Sequence, residues 1–103
     1  MTRLPDATMS RAEHEWVLLA LHVADLARSI AHNPRLADPL YRDLFLETLR
    51  LELAQLVIAF PSASAYSPVF LTRYRELSAE IRQSVERITA RLTRVSAGQR
   101  SDA

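Results

Sequence analysis

Apolar residues recur at steps of three and four over three long stretches of the chain, the repeat that gathers them on one side of an α-helix. In the first stretch Ala12, Trp16, Leu19, Val23, Leu26 and Ile30 form the stripe. Ala20, Ala24, Ala27 and Ala31 line one flank, and His14, His22, Asp25, Ser29 and His32 fall on the far side. Small side chains on that flank let a neighbouring helix approach closely. Ser10 and Glu13 have the spacing of a capping box, in which each side chain satisfies an orphan amide of the first turn. Asn33-Pro34 ends the stretch, because the residue before proline avoids helical torsions.

Asp38-Pro39 opens the second stretch as N-cap and first helical residue. It runs to about Phe60, where Pro61 and the turn residues of PSASAYS intervene. Ser67-Pro68 repeats the cap-plus-proline signal, and Phe70, Tyr74, Leu77, Ile81, Val85, Ile88, Leu92 and Val95 then make one narrow stripe. Their mean step is close to 3.6, which predicts a nearly straight helix. Gly98 is the expected C-terminal cap. The alternation in Leu49-Arg-Leu-Glu-Leu53 would suit a strand, but the helical repeat continues on both sides of it. The pattern predicts an all-α antiparallel three-helix bundle with helices at about 10–32, 39–60 and 68–97. At 1.5 Å per residue the third would be about 45 Å long against about 33 Å for the others, so its end should overhang. One domain, 10–97, would be flanked by flexible tails at 1–9 and 98–103.

The second stretch is apolar on two sides. Phe45, Leu46, Leu49, Leu53, Leu56, Val57 and Phe60 make the main face, while Leu40, Leu44, Leu51 and Ile58 lie nearly opposite, with Asp43, Glu47, Arg50 and Glu52 in the seams. A helix in a three-helix bundle needs one broad stripe, so the opposite stripe requires a partner outside the bundle. Four large aliphatic side chains represent about 6–12 kcal/mol if fully buried, comparable with the whole net stability of a small domain, about 5–15 kcal/mol. The expected partner is a second copy related by a two-fold axis; cover by the tail with Leu4 and Met9, or by the 61–67 loop, is the alternative.

Composition narrows the function. A chain of 103 residues makes one small domain, and one Gly with five Pro favours long helices over turn-rich β structure. The net charge of +1 provides no overall field for nucleic acid or an acidic membrane. Cysteine is absent, which removes disulfides, thiolate chemistry and cysteine-bound zinc. Leu53 to Thr72 is uncharged, but Pro61, Pro68 and the serines between them break it into a helix end, a loop and a helix start rather than a membrane span. MTRLPDATMSRAEHE carries no apolar run of the kind a secretory signal needs, so a cytoplasmic location is expected.

Chemistry is sparse. A single Gly cannot build a phosphate-cradling loop, and neither a nucleophile elbow nor paired Glu-x-x-His units occur. His14, His22 and His32 lack the i, i+4 spacing of a helical zinc site. His22 and Asp25, three apart, offer only two ligands. No catalytic residue, metal ligand or cofactor is therefore expected. All thirteen basic residues are Arg, which suits bidentate recognition of phosphate or carboxylate and is also what GC-rich coding produces. In the third helix Glu76 and Glu80 precede Arg87, Arg91 and Arg94 along one side. Acids early and bases late complement the helix dipole; the same order would serve pairing with another long helix, or contact with nucleic acid. Three neutralised phosphates would give a salt slope near −2.7, roughly a fortyfold loss between 50 and 200 mM salt. The sequence thus predicts a non-enzymatic helical interaction or adaptor protein, a homodimer through Leu40, Leu44, Leu51 and Ile58 that docks on a larger protein partner. The alternative is a nucleic-acid-associated protein using Arg87, Arg91 and Arg94.

Overall fold

Three helices run up, down and up in the computed structural model, which describes residues 8–102, with side chains to 95. They are α1 (Arg11–Ala31), α2 (Pro39–Ile58) and α3 (Pro68–Asp102), and no strand occurs among the described residues. Residues 1–7, including Leu4, and residue 103 lie outside the described part.

Helix starts follow the sequence signals closely. Ser10 Oγ accepts the Glu13 amide at 3.1 Å while Glu13 Oε1 accepts the Ser10 amide at 2.9 Å, the reciprocal capping box. Asp38 Oδ1 accepts the Leu40 amide at 3.1 Å and caps α2. Ser67 Oγ accepts the Phe70 amide at 3.3 Å and caps α3. Glu13 then joins two of these caps: Ser67 donates its amide to Oε2 at 3.1 Å and its hydroxyl to Oε1 at 2.8 Å. The starts of α1 and α3 are therefore tied side by side. Burial alone would raise the Glu13 carboxyl pKa, but hydrogen bonds from Ser10 and Ser67 to the charged form outweigh it and hold the pKa below its ordinary value.

Two of the helix ends depart from expectation. The link after α1 is not a plain break, since Pro34–Ala37 forms a 3-10 turn whose Asn33 Oδ1 accepts the Arg35 amide at 2.8 Å. Leu36 from this turn is buried in the core. α2 ends at Ile58 with Ala59 as its C-cap, in keeping with the expected end near Phe60. Gly98 is not a cap: α3 continues through it to Asp102, and no glycine has a positive φ among the described residues. A glycine inside a helix costs about 1 kcal/mol relative to alanine and does not by itself end one. No proline follows it to force a stop.

α1 is the common partner. It packs along α3 and against α2, while α2 and α3 meet only marginally. The centre of its buried face is the alanine row expected only as a flank: Ala20, Ala24, Ala27 and Ala31 are buried together with Trp16, Val17, Val23 and Ile30. Leu19 and Leu26, expected at the centre, are half-buried at its edge, and Ala12 is exposed. Size explains the rotation, because alanines permit close helix approach and larger side chains fill the margins. In α3, Phe70, Leu77, Ile81 and Ile88 are buried, with Ser84 among them, and Val85, Leu92 and Val95 are half-buried. In α2 only Leu49 and Leu56 are buried. Val57, assigned to the inward face, points outward instead.

The aromatic residues close one end of the bundle. Trp16 meets Phe60 and Phe70 edge-on, each at 5.6 Å between centroids, and Tyr66 lies 5.6 Å from Phe70. The Trp16 indole donates to the Leu56 carbonyl at 2.9 Å. That carbonyl belongs to the last turn of α2, where the Phe60 amide turns back to Val57, so the indole supplies a bond the helix does not.

Candidate interaction surfaces

The outer line of α2 is the first surface. Leu40, Leu44, Leu51 and Ile58 are 75%, 59%, 51% and 78% exposed, and Val57 beside them is 76% exposed. Neither Thr8 and Met9 nor the 61–67 loop covers these side chains; Met9 packs against the core instead. Their spacing explains why they share a line. Leu44, Leu51 and Ile58 are seven apart, and Leu40, Glu47 and Ala54 form a second series at the same interval between them. The result is an a/d-like seam. On its edge Arg50 Nη2 pairs with Glu47 at 2.7 Å. This hydrogen-bonded pair lowers the Glu47 pKa and raises that of Arg50.

A cleft of about 460 Å³ between α2 and α3 is the second surface, lined by Trp16, Leu56, Val57, Phe60, Tyr74 and Ser78. It exists because α1 separates the other two helices. Val57 forms its rim and joins it to the outer line of α2.

The third surface surrounds the end of α1. Arg91 Nη1 donates to the carbonyls of Ala31 and Asn33, both at 2.8 Å. A guanidinium thus caps carbonyls at the negative end of a helix. Arg87 and Arg94 flank it, exposed, and the three arginines share a cleft of about 250 Å³ with Ala31, His32 and Ala90. The two carboxylates expected on the same side are turned elsewhere. Glu76 accepts from Arg73 at 3.0 Å, and Glu80 lies 3.9 Å from Arg28 across the α1–α3 boundary.

The histidine face does not assemble a centre. Asp25 pairs with Arg28, and His22 Nε2 lies 3.9 Å from Glu52 on α2. Among the described residues no three His, Cys, Asp or Glu side chains cluster as a metal site, and no helix is long and apolar enough to cross a membrane.

Reasoning from sequence located the α2 line and the arginine series. It missed the α2–α3 cleft, the inclusion of His32 with the arginines and the Glu13–Ser67 link. Each of these brings together residues from different helices. No signal within one helix pointed to them; on the α2 wheel Val57 falls beside Leu46 and Leu53 on the main face. No known family, curated protein or solved structure matches the chain.

Proposed function

We propose that the protein is a small non-enzymatic interaction module that self-associates through the outer line of α2. The observation that carries this reading is the exposure of Leu40, Leu44, Leu51 and Ile58 along one helix face, since isolated surface leucines are ordinary but four large aliphatic side chains in line are not. The partner is a second copy whose α2 packs antiparallel, as a short two-helix coiled coil. In a parallel pair Glu47 would sit against its own symmetry mate inside the seam. An antiparallel pair centred near Leu49 sets Ile58 against Leu40 of the second copy and Leu44 against its Ala54. It also gathers Glu47 and Arg50 of both chains around the axis as a neutral cluster.

Magnitude sets the strength. The exposed parts of the four side chains amount to roughly two and a half whole ones, or about 4–8 kcal/mol on burial. Lost translational and rotational freedom costs about 4–15 kcal/mol and so offsets most of this gain. One face of a helix about 30 Å long also covers less than the roughly 1,000 Å² of a stable interface. The self-association is therefore weak and reversible, and a larger protein partner seated in the Val57-rimmed cleft, clear of the seam, strengthens the assembly. The location that accompanies this reading is the cytoplasm.

Sedimentation equilibrium from about 10 µM to 1 mM, a range matched to such affinities, tests the dimer. Wild type should show rising mass, and Leu51→Glu should remain folded and monomeric, because its side chain is outside the core. A wild type that stays monomeric, or a variant that associates equally well, would refute the seam. The nucleic-acid reading has less support. Arg87, Arg91 and Arg94 gather around one cleft, whereas a duplex presents a charge about every 1.7 Å along its axis and rewards an extended track.

A further inference from the structure

We infer that the cleft formed by Arg87, Arg91 and Arg94 with His32 is a binding site for a phosphate or diphosphate group, independent of the α2 seam. Three arginines line it from positions i, i+4 and i+7 of α3. Among the described residues no carboxylate lines the cleft. On the shared face of α3 the residues one turn from each arginine are Gln83, Ser84, Ile88, Ala90 and Val95 within the described side chains, none of them acidic. Arg87 and Arg94 take part in no ion pair or hydrogen bond among the described residues. Elsewhere on the surface several arginines are neutralised: Arg11, Arg28, Arg42, Arg50 and Arg73 each have a carboxylate within 4 Å. Arg87 and Arg94 instead stand on either side of a third arginine whose position is fixed.

Arg91 provides the preorganised element. Its Nη1 is held by the Ala31 and Asn33 carbonyls at 2.8 Å each, so the plane of the guanidinium is set before any ligand arrives. Those two bonds use the Nη1 donors and leave the Nε and Nη2 donors for an anion. They also offset the negative end of α1, which would otherwise repel one. A guanidinium fork matches two oxygens of a phosphate, and Arg87 and Arg94, one turn to either side along α3 and lining the same cleft, supply further donors.

Volume selects the ligand class. A cleft of about 250 Å³ holds the equivalent of roughly eight liquid waters. This falls below the roughly 300–1,000 Å³ of pockets that enclose a whole small molecule. The group bound is therefore the phosphate end of a molecule, with the remainder outside in solvent.

Calorimetric titration with inorganic pyrophosphate and with adenosine diphosphate, in low-salt buffer free of sulfate, tests the site and distinguishes a free diphosphate from its ester. Saturable binding of at least one probe, weakened by tenfold or more in Arg87→Gln/Arg94→Gln, supports it; removing one charge-assisted hydrogen bond accounts for about tenfold or more. The double variant should keep wild-type helicity by circular dichroism, since neither side chain is bonded within the fold. No saturable binding of either probe overturns the proposal. So does equal binding by the double variant, or binding of short duplex DNA with neither probe bound.

Discussion

Glu13 is a carboxylate 4% exposed to solvent that holds the starts of two helices together, and replacing it by Gln changes almost nothing but charge and donor pattern. Oε1 accepts from the Ser10 amide and the Ser67 hydroxyl, and Oε2 accepts from the Ser67 amide. A carboxylate only accepts. In Glu13→Gln the new –NH2 faces the Ser67 amide, donor against donor, and the remaining bonds lose their charge assistance. A hydrogen bond to a charged group is worth about 1.5–3 kcal/mol and a stranded buried donor costs about 1–3 kcal/mol. The expected loss is about 2–4 kcal/mol, a sizeable share of a net stability of about 5–15 kcal/mol. For a domain of this length it corresponds to roughly 10–25 °C in Tm.

Urea unfolding followed by Trp16 fluorescence is the assay, since Trp16 is the sole tryptophan and is buried. The pH dependence provides a second readout. Because the folded pKa lies below the ordinary 4.5, Glu13 stabilises the fold fully above the unfolded value. That contribution disappears as pH falls through the folded value. The gap between wild type and Glu13→Gln should stay constant from neutral pH to about 5 and narrow on further acidification. A gap under about 0.5 kcal/mol at neutral pH, the range of neutral surface changes, would refute the clamp, as would one that does not narrow in acid.

Two further substitutions probe the packing. Ala27→Leu inserts a large side chain at a fully buried position and should cost about 1–3 kcal/mol or more. Ala12→Leu, exposed on the same helix, should change stability by less than about 0.5 kcal/mol in the same urea titration. Arg91→Met keeps the aliphatic stem but removes the donors to the Ala31 and Asn33 carbonyls. It should lower stability by about 2–4 kcal/mol, measured as a fall in urea midpoint, whereas Arg87→Gln leaves the midpoint unchanged.

Local chemistry was legible in the sequence and long-range chemistry was not. Ser10, Asp38 and Ser67 cap the helices their positions announced, because a cap depends on residues two or three apart. Periodicity also found the apolar stripe of α1, but it weights residues by hydrophobicity and so put Leu19 and Leu26 ahead of the alanines. Packing distance favours the smaller side chains, and the face turned accordingly. Gly98 misled for a related reason: glycine permits a helix end without compelling one. The α2 line could be read because the periodicity that aligns Leu40, Leu44, Leu51 and Ile58 is a property of one helix. The arginine cleft could be read only in part, since Arg91 finds its carbonyl partners 58 and 60 residues away.

The pairing of α1 with α3 has a consequence during synthesis. The first of the three helices made finds its principal partner in the last, so a nascent chain that has emerged only as far as the 61–67 loop presents a bare alanine-rich face. Ser67, which fixes Glu13, is the last residue of that loop, and Phe70, which seals the tryptophan, comes just after it. A ribosome-bound hairpin of α1 and α2 therefore waits for Phe70, Leu77, Ile81 and Ile88 of α3 before its core is complete, and a premature stop ahead of these residues yields a chain exposed to proteolysis rather than a smaller working protein.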